Sequence, residues 1–208
     1  IGWFYSMQGI VTIFMPGIIG IIADRWIQAQ RMLGISHLLA GLFLIGAAFY
    51  SMSEGKNISF GVFFLLYSLS MAFFMPTLAL SNSVAYTALT QAGLDTVKAF
   101  PPIRVWGTIG FIVTMWFVDL MGFQDNHWQF VTSGVLSIIL FLYTFTLPQR
   151  PVSDSKEKKG FVEIFGLQAF ALFRRRQMAI FFVFSMLLGV CLQITNGFAN
   201  PFISHFGS

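Results

Sequence analysis

The sequence predicts an all-α membrane protein with about six transmembrane helices, and three observations predict it. Of 208 residues, 56% are hydrophobic and only 10% are charged, where a soluble domain carries about 25% charged residues. The apolar residues gather into six runs of roughly the 20 residues a helix needs to cross hydrocarbon at about 1.5 Å per residue. The Lys and Arg residues between those runs fall almost entirely on one side of the expected bilayer. A soluble chain of this size could not hide so much apolar surface, because polar side chains must cover its outside.

The first run, Ile1 to Ile22, is apolar from its opening residue. It has no basic leading segment, so a piece of a longer protein is expected here and not a signal peptide. The second run is Met32 to Tyr50. The third starts near Ile58 and extends past Pro76 toward Leu89. The fourth is Ile103 to Met121, the fifth Trp128 to Leu147, and the sixth Met178 to about Phe202. These runs must be helices, since lipid offers no partner to backbone N–H and C=O groups. A membrane β-barrel would alternate apolar and polar residues, whereas Phe181 to Leu188 is apolar nearly all round.

The loops give the orientation. Arg25, Arg31, Lys98, Arg150, Lys156, Lys158, Lys159, Arg174, Arg175 and Arg176 share one side, and Lys56 is alone on the other. Basic loops favour the cytoplasm, so the first run crosses from outside to inside. An odd number of spans, most simply one, is expected before it. The long polar stretch 148–177 reads as a cytoplasmic linker. Its Ser153 to Lys159 core suits a solvated segment, and the part after Gly160 suits an amphipathic helix on the membrane surface.

Several function classes are excluded by pattern. The net charge of +4 does not indicate nucleic acid, because the basic residues sit in loops and not along a helix face. Cys191, the one cysteine, excludes an internal disulfide framework and suits a small apolar position. His37, His127 and His205 are separated and suggest no metal site. There is no nucleophile with a base, no phosphate-cradling Gly loop and no paired carboxylate in a span, so no enzyme and no cofactor are expected.

Four segments connect the chain to a known family. Gly20-Ile21-Ile22-Ala23-Asp24-Arg25 resembles the loop signature between spans two and three of the major facilitator superfamily; Trp26 to Arg31 replaces the later Gly and basic pair of that signature. Ala99-Phe100-Pro101-Pro102-Ile103-Arg104-Val105-Trp106-Gly107-Thr108-Ile109-Gly110-Phe111-Ile112 resembles the fifth span of the bacterial nucleoside:proton symporters. Met75 to Ser83 is similar to their fourth span, and Met178 to Asn196 to their seventh. The resemblance covers nearly the whole chain. It implies a major facilitator-type bundle with spans two to seven of twelve present. Residues 1–147 would then be an N-terminal bundle lacking its first helix, and 178–208 the first helix of a C-terminal bundle. The implied activity is import of nucleosides with a coupling proton, across the bacterial inner membrane, by a monomer in the lipid bilayer.

Polar residues inside spans are costly and are functional candidates by default. Arg104, Thr108 and Phe111, at i, i+4 and i+7, share one helical face. They string a guanidinium, a hydroxyl and an aromatic ring over about 10 Å. By residue chemistry alone, Arg104 could equally snorkel to headgroups, Thr108 could pack between helices, and Phe111 could face lipid. Gln193 and Asn196 are an i, i+3 amide pair that suits a neutral, hydroxyl-rich solute or an interhelical clamp. The resemblance assigns all five to substrate contact. Asn82 and Tyr86, an i, i+4 pair, fit packing or gate closure better than substrate contact. Asp24 and Arg25 form either a solvated pair or, as the resemblance implies, a latch on the inward gate. Asp119 is expected to be hydrated near the outer end of its span, and Gly107 and Gly110 to let helices approach closely. Pro101-Pro102 fits a helix start or kink. No carboxylate lies deep within a span, so the coupling proton's site is expected in the second half of the protein. Transport of another neutral polar solute, such as a sugar, remains open at this point; a membrane-embedded lipid or prenyl transferase, or a structural or sensory membrane protein, is a more distant alternative.

Overall fold

The computed structural model describes residues 2–148 and 173–206. Six long helices follow one another: α1 (Gly2–Arg25), α2 (Ala29–Glu54), α3 (Phe60–Gln91), α4 (Thr96–Leu120), α5 (Trp128–Tyr143) and α6 (Arg176–Phe206). All six include a stretch long and apolar enough to cross a membrane. The expected linker at 148–177, with its surface helix after Gly160, falls largely outside the described residues. The chain divides into two compact units, residues 1–154 and 155–208, and α6 belongs to the second.

Several helices overrun the spans expected from hydropathy. α2 extends from Ala29 to Glu54, whereas α5 stops at Tyr143, inside its expected run, and a short 3-10 turn at Thr144–Thr146 follows it. α3 runs without a break through Pro76, which is fully buried. The largest difference is α4, which begins at Thr96 and not at Ile103. Pro101 and Pro102 therefore lie inside the helix, and the start is set earlier by Asp95, whose carboxylate accepts a hydrogen bond from the Val97 N–H at 3.0 Å. A side-chain acceptor at this position satisfies an N–H that has no intrahelical partner.

The first unit is organised around α2. This helix packs on α3 along one side and on α5 along another, and it buries Leu33, Ala40, Leu44, Ala47 and Ala48. Its contact with α5 depends on glycine. A Cβ at Gly41 would stand 2.8 Å from the Gly134 carbonyl oxygen, and one at Gly134 would stand 3.0 Å from that of Gly41. Lipid tails supply no hydrophobic drive for helices to associate, so such close backbone approach is the main source of attraction. Gly107 and Gly110 have nothing within 4 Å of their Cβ positions. Among the described residues they mark no close crossing, contrary to expectation.

The contact of α2 with α3 adds a hydrogen bond. Ser70 Oγ donates to the Ala40 carbonyl at 2.9 Å in a buried setting, and Phe43 stacks on Phe73 nearby. Such bonds are worth about 0.6 kcal/mol on average and up to about 1.7 in membranes. Ser70→Ala is expected to destabilise the bundle by roughly that amount. A melting curve in detergent would show it as a lower midpoint; an unchanged midpoint would mean the bond contributes nothing. α1 attaches to α3 through Phe4, whose ring meets those of Phe60, Phe63, Phe64 and Tyr67 edge-on. At the other end, Ile19, Ala23, Met32, Leu33, Leu80 and Val84 form a buried cluster joining α1, α2 and α3.

Candidate functional site

α4 buries none of its residues within its unit. Its attachment to α3 comes through the turn between them and one ring contact. Gly93 has a positive φ of 69°, which lets the Leu94 N–H reach back to the Leu89 carbonyl at 3.0 Å. A glycine takes this conformation without the Cβ clash other residues meet. Asp95 then opens α4, so the two helices run antiparallel. One turn into α4, Phe100 stacks on Tyr86 of α3, with centroids 4.5 Å apart and planes at 30°.

Arg104, Thr108 and Phe111 follow on α4 and are all exposed in this unit; Phe111 is 65% exposed. Because α4 starts at Thr96, Arg104 lies about 12 Å along the helix, further from its start than the sequence implied. The three residues line one face of α4, as their spacing predicted. Near the far end, Asp119 is exposed and accepts a hydrogen bond from the Gln124 side chain.

On α6, Gln193 is exposed, as is Cys191. Thr195 Oγ donates to the Cys191 carbonyl at 2.9 Å. Asn196 lies in the helix one turn beyond Gln193, but its side chain is outside the described residues, as are those of Asp24, Arg25 and His205. The structure thus brings Arg104, Thr108 and Phe111 onto one surface, and describes α6 by itself.

Two features were not recognised as sites in the sequence. The first is a groove of about 670 Å³ on α3, lined by Asn82, Ser83, Tyr86, Thr87 and Thr90 among others. Its signal was a run of polar side chains three and four residues apart, which the pair Asn82 and Tyr86 showed only in part. The second is His37, buried at 8% exposure with its ring against Phe74. Among the described residues its Nδ1 has no hydrogen-bond partner, and the same holds for Ser36 Oγ and Ser68 Oγ. His37 therefore belongs to the α2–α3 contact and not to the face bearing Arg104.

Known proteins share this arrangement. The family model for the nucleoside H+ symporter matches residues 1–208. The nucleoside permease NupG of Escherichia coli (strain K12) is 45% identical over 206 residues, which is 99% of this chain and 48% of that protein. The xanthosine permease of the same organism is 47% identical over 206 residues, with the same coverage of 99% and 48%. The chain thus spans about half the length of the curated relatives it matches. A crystal structure of a mutant of the nucleoside transporter NupG superposes with a TM-score of 0.82 at 44% identity, covering 99% of this chain and 49% of that one. A match along the full chain, together with the same helical architecture, assigns the family: the chain belongs to the nucleoside H+ symporter family.

Proposed function

We propose that the intact protein is a secondary transporter that imports nucleosides by proton symport in a bacterial inner membrane, acting as a monomer. The observation that carries this reading is the Arg104–Thr108–Phe111 face on a membrane-length helix that buries none of its residues in its own bundle. A guanidinium offers fixed donors for ribose hydroxyls or base carbonyls. Phe111 offers a flat face to the base, and Thr108 a small donor and acceptor. Gln193 and Asn196 would supply neutral amide contacts from α6. None of these groups except Arg104 is charged, which suits a neutral solute that must be released again. Transport would proceed by alternating access, two bundles rocking about a midplane site. Among the described residues the acidic side chains all lie in loops or near helix ends, so we place the coupling carboxylate outside these spans.

The test is uptake of labelled uridine by cells making the intact protein, with unlabelled nucleosides and sugars as competitors. Other nucleosides are expected to compete and sugars are not, and a protonophore is expected to stop accumulation. Competition by sugars without competition by nucleosides would reassign the cargo. Uptake indifferent to the protonophore would remove the proton from the mechanism.

A further inference from the structure

The ring contact between Phe100 and Tyr86 fixes how the α4 face relates to the groove on α3. At about 100° per residue, Phe100, Arg104, Thr108 and Phe111 lie within about 80° of one another on α4. Phe100 is therefore the first member of that face, and it rests on Tyr86. One turn away from the stacked rings, Asn82 on α3 and Arg104 on α4 each lie about 6 Å further along their own helix.

The packing side of α3 is already occupied. Leu80 and Val84 are buried in the cluster shared with α1 and α2. Asn82 and Tyr86 follow each of these by two residues, about 200° round the helix, and both are exposed. Neither side chain joins that cluster, and Tyr86 packs instead on Phe100, so packing against α1 and α2 does not account for them. A lipid-facing stripe does not account for them either, since it would be apolar.

The groove's chemistry is specific. Its lining carries no charged side chain. Thr87 and Thr90 donate their hydroxyl protons to the Ser83 and Tyr86 carbonyls at 2.9 and 2.8 Å, so their oxygens remain as acceptors. Among the described residues the Asn82 amide has no partner, and it offers both donors and an acceptor. Tyr86 is 44% exposed, with Phe100 stacked on it. A neutral planar heterocycle bearing hydroxyls matches this set: a ring to stack, an amide to pair with its edge, and acceptors for its hydroxyls.

We infer that Asn82 and Tyr86 form a nucleoside subsite continuous with Arg104, on the Gly93-turn side of it. Asn82 hydrogen-bonds the solute one helical turn from the stacked rings, and the Tyr86 ring, backed by Phe100, is its stacking platform. By the charge bias of the loops this is the cytoplasmic side, so the subsite is the one a nucleoside meets on its way out of the carrier. This rests on the proposed nucleoside transport.

The experiment is kinetic analysis of uridine uptake by the intact protein. Tyr86→Leu and Asn82→Ala are each expected to raise KM about tenfold at unchanged membrane level, the size of one lost stacking or hydrogen-bond contact. Tyr86→Phe keeps the ring and is expected to leave KM within about twofold. A second measurement does not depend on turnover. In an intact protein stripped of its native cysteines, Cys191 included, Asn82→Cys is expected to react with a maleimide, and uridine is expected to slow that reaction. Unchanged KM in both Tyr86→Leu and Asn82→Ala, or a lower kcat at unchanged KM as a purely mechanical gate would give, overturns the subsite while nucleoside transport stands. Labelling unaffected by uridine does the same. If Tyr86→Leu does not reach the membrane, Asn82→Ala and the labelling decide. Absence of nucleoside uptake by the unmutated protein overturns transport and subsite together.

Discussion

Arg104→Ala in the intact protein is expected to abolish nucleoside uptake while leaving the amount of protein in the membrane unchanged. The guanidinium is exposed on a helix that buries nothing in its own unit, so its loss opens no cavity and breaks no core contact within that unit. What is lost is hydrogen bonding to the solute. Bonds to a charged donor are worth about 1.5–3 kcal/mol each, and a planar guanidinium can make two in parallel. Losing two corresponds to a drop in kcat/KM of at least about a hundredfold. Arg104→Lys keeps the charge but not the fork, and is expected to fall between the two. Uptake by Arg104→Ala at the unmutated rate, with equal membrane level by immunoblot, would return Arg104 to the role of a headgroup anchor.

Gly41→Leu should have the other large effect, and by a different route. Here the protein should be lost from the membrane or melt far below the unmutated form. Even the first carbon of a side chain at Gly41 would stand 2.8 Å from the Gly134 carbonyl oxygen and 3.0 Å from Ser137 Cβ. The obstacle includes backbone, which no rotamer change can move aside. α5 must then separate from α2, the helix with the most buried residues in the unit. Overpacking in a well-packed core costs about 1–3 kcal/mol, and occasionally more; loss of a helix contact places this case at the upper end. Gly46, on the same helix, has nothing within 4 Å of its Cβ position, so Gly46→Ala is the control and should melt normally. Equal midpoints for Gly41→Leu and the unmutated protein would show that the bundle does not rest on the α2–α5 contact.

Glycine illustrates why part of the fold could not be read from the sequence. The chain has 19 glycines, and a close helix crossing is expected at some of them. Gly107 and Gly110 stood out because they sit in a family signature, yet the crossing falls at Gly41 and Gly134. Which glycine meets which depends on the relative rotation of two helices nearly a hundred residues apart, and no local pattern records it. The start of α4 misled for a local reason. A Pro pair normally marks a helix start because it lacks two N–H donors. Inside α4 it leaves the carbonyls of Val97 and Lys98 without their helical partners, but both residues are exposed near the helix end. Water or headgroups can serve those carbonyls there, and the Asp95 cap sets the start instead.

The polar residues divide in the same way. The face of Arg104, Thr108 and Phe111 follows from the helical period, because residues four and seven apart share a side whatever surrounds them. Asn82 and Tyr86 also share a side by that rule, but the period is silent on whether that side meets a neighbour or open space. The packing of Leu80 and Val84 against α1 and α2 answers it.

Hydropathy is a sum over local composition, so it specifies six membrane-length helices without reference to any contact, and the charge bias of the loops sets the orientation expected of them. Helical period, also local, specifies which polar groups travel together. The close approach of Gly41 to Gly134, the burial of His37, and the exposure of Asn82 and Tyr86 outside the cluster with α1 and α2 depend on how helices distant in the chain rotate against one another. That rotation is set by the joint fit of several surfaces at once, and it exists only once the bundle is assembled.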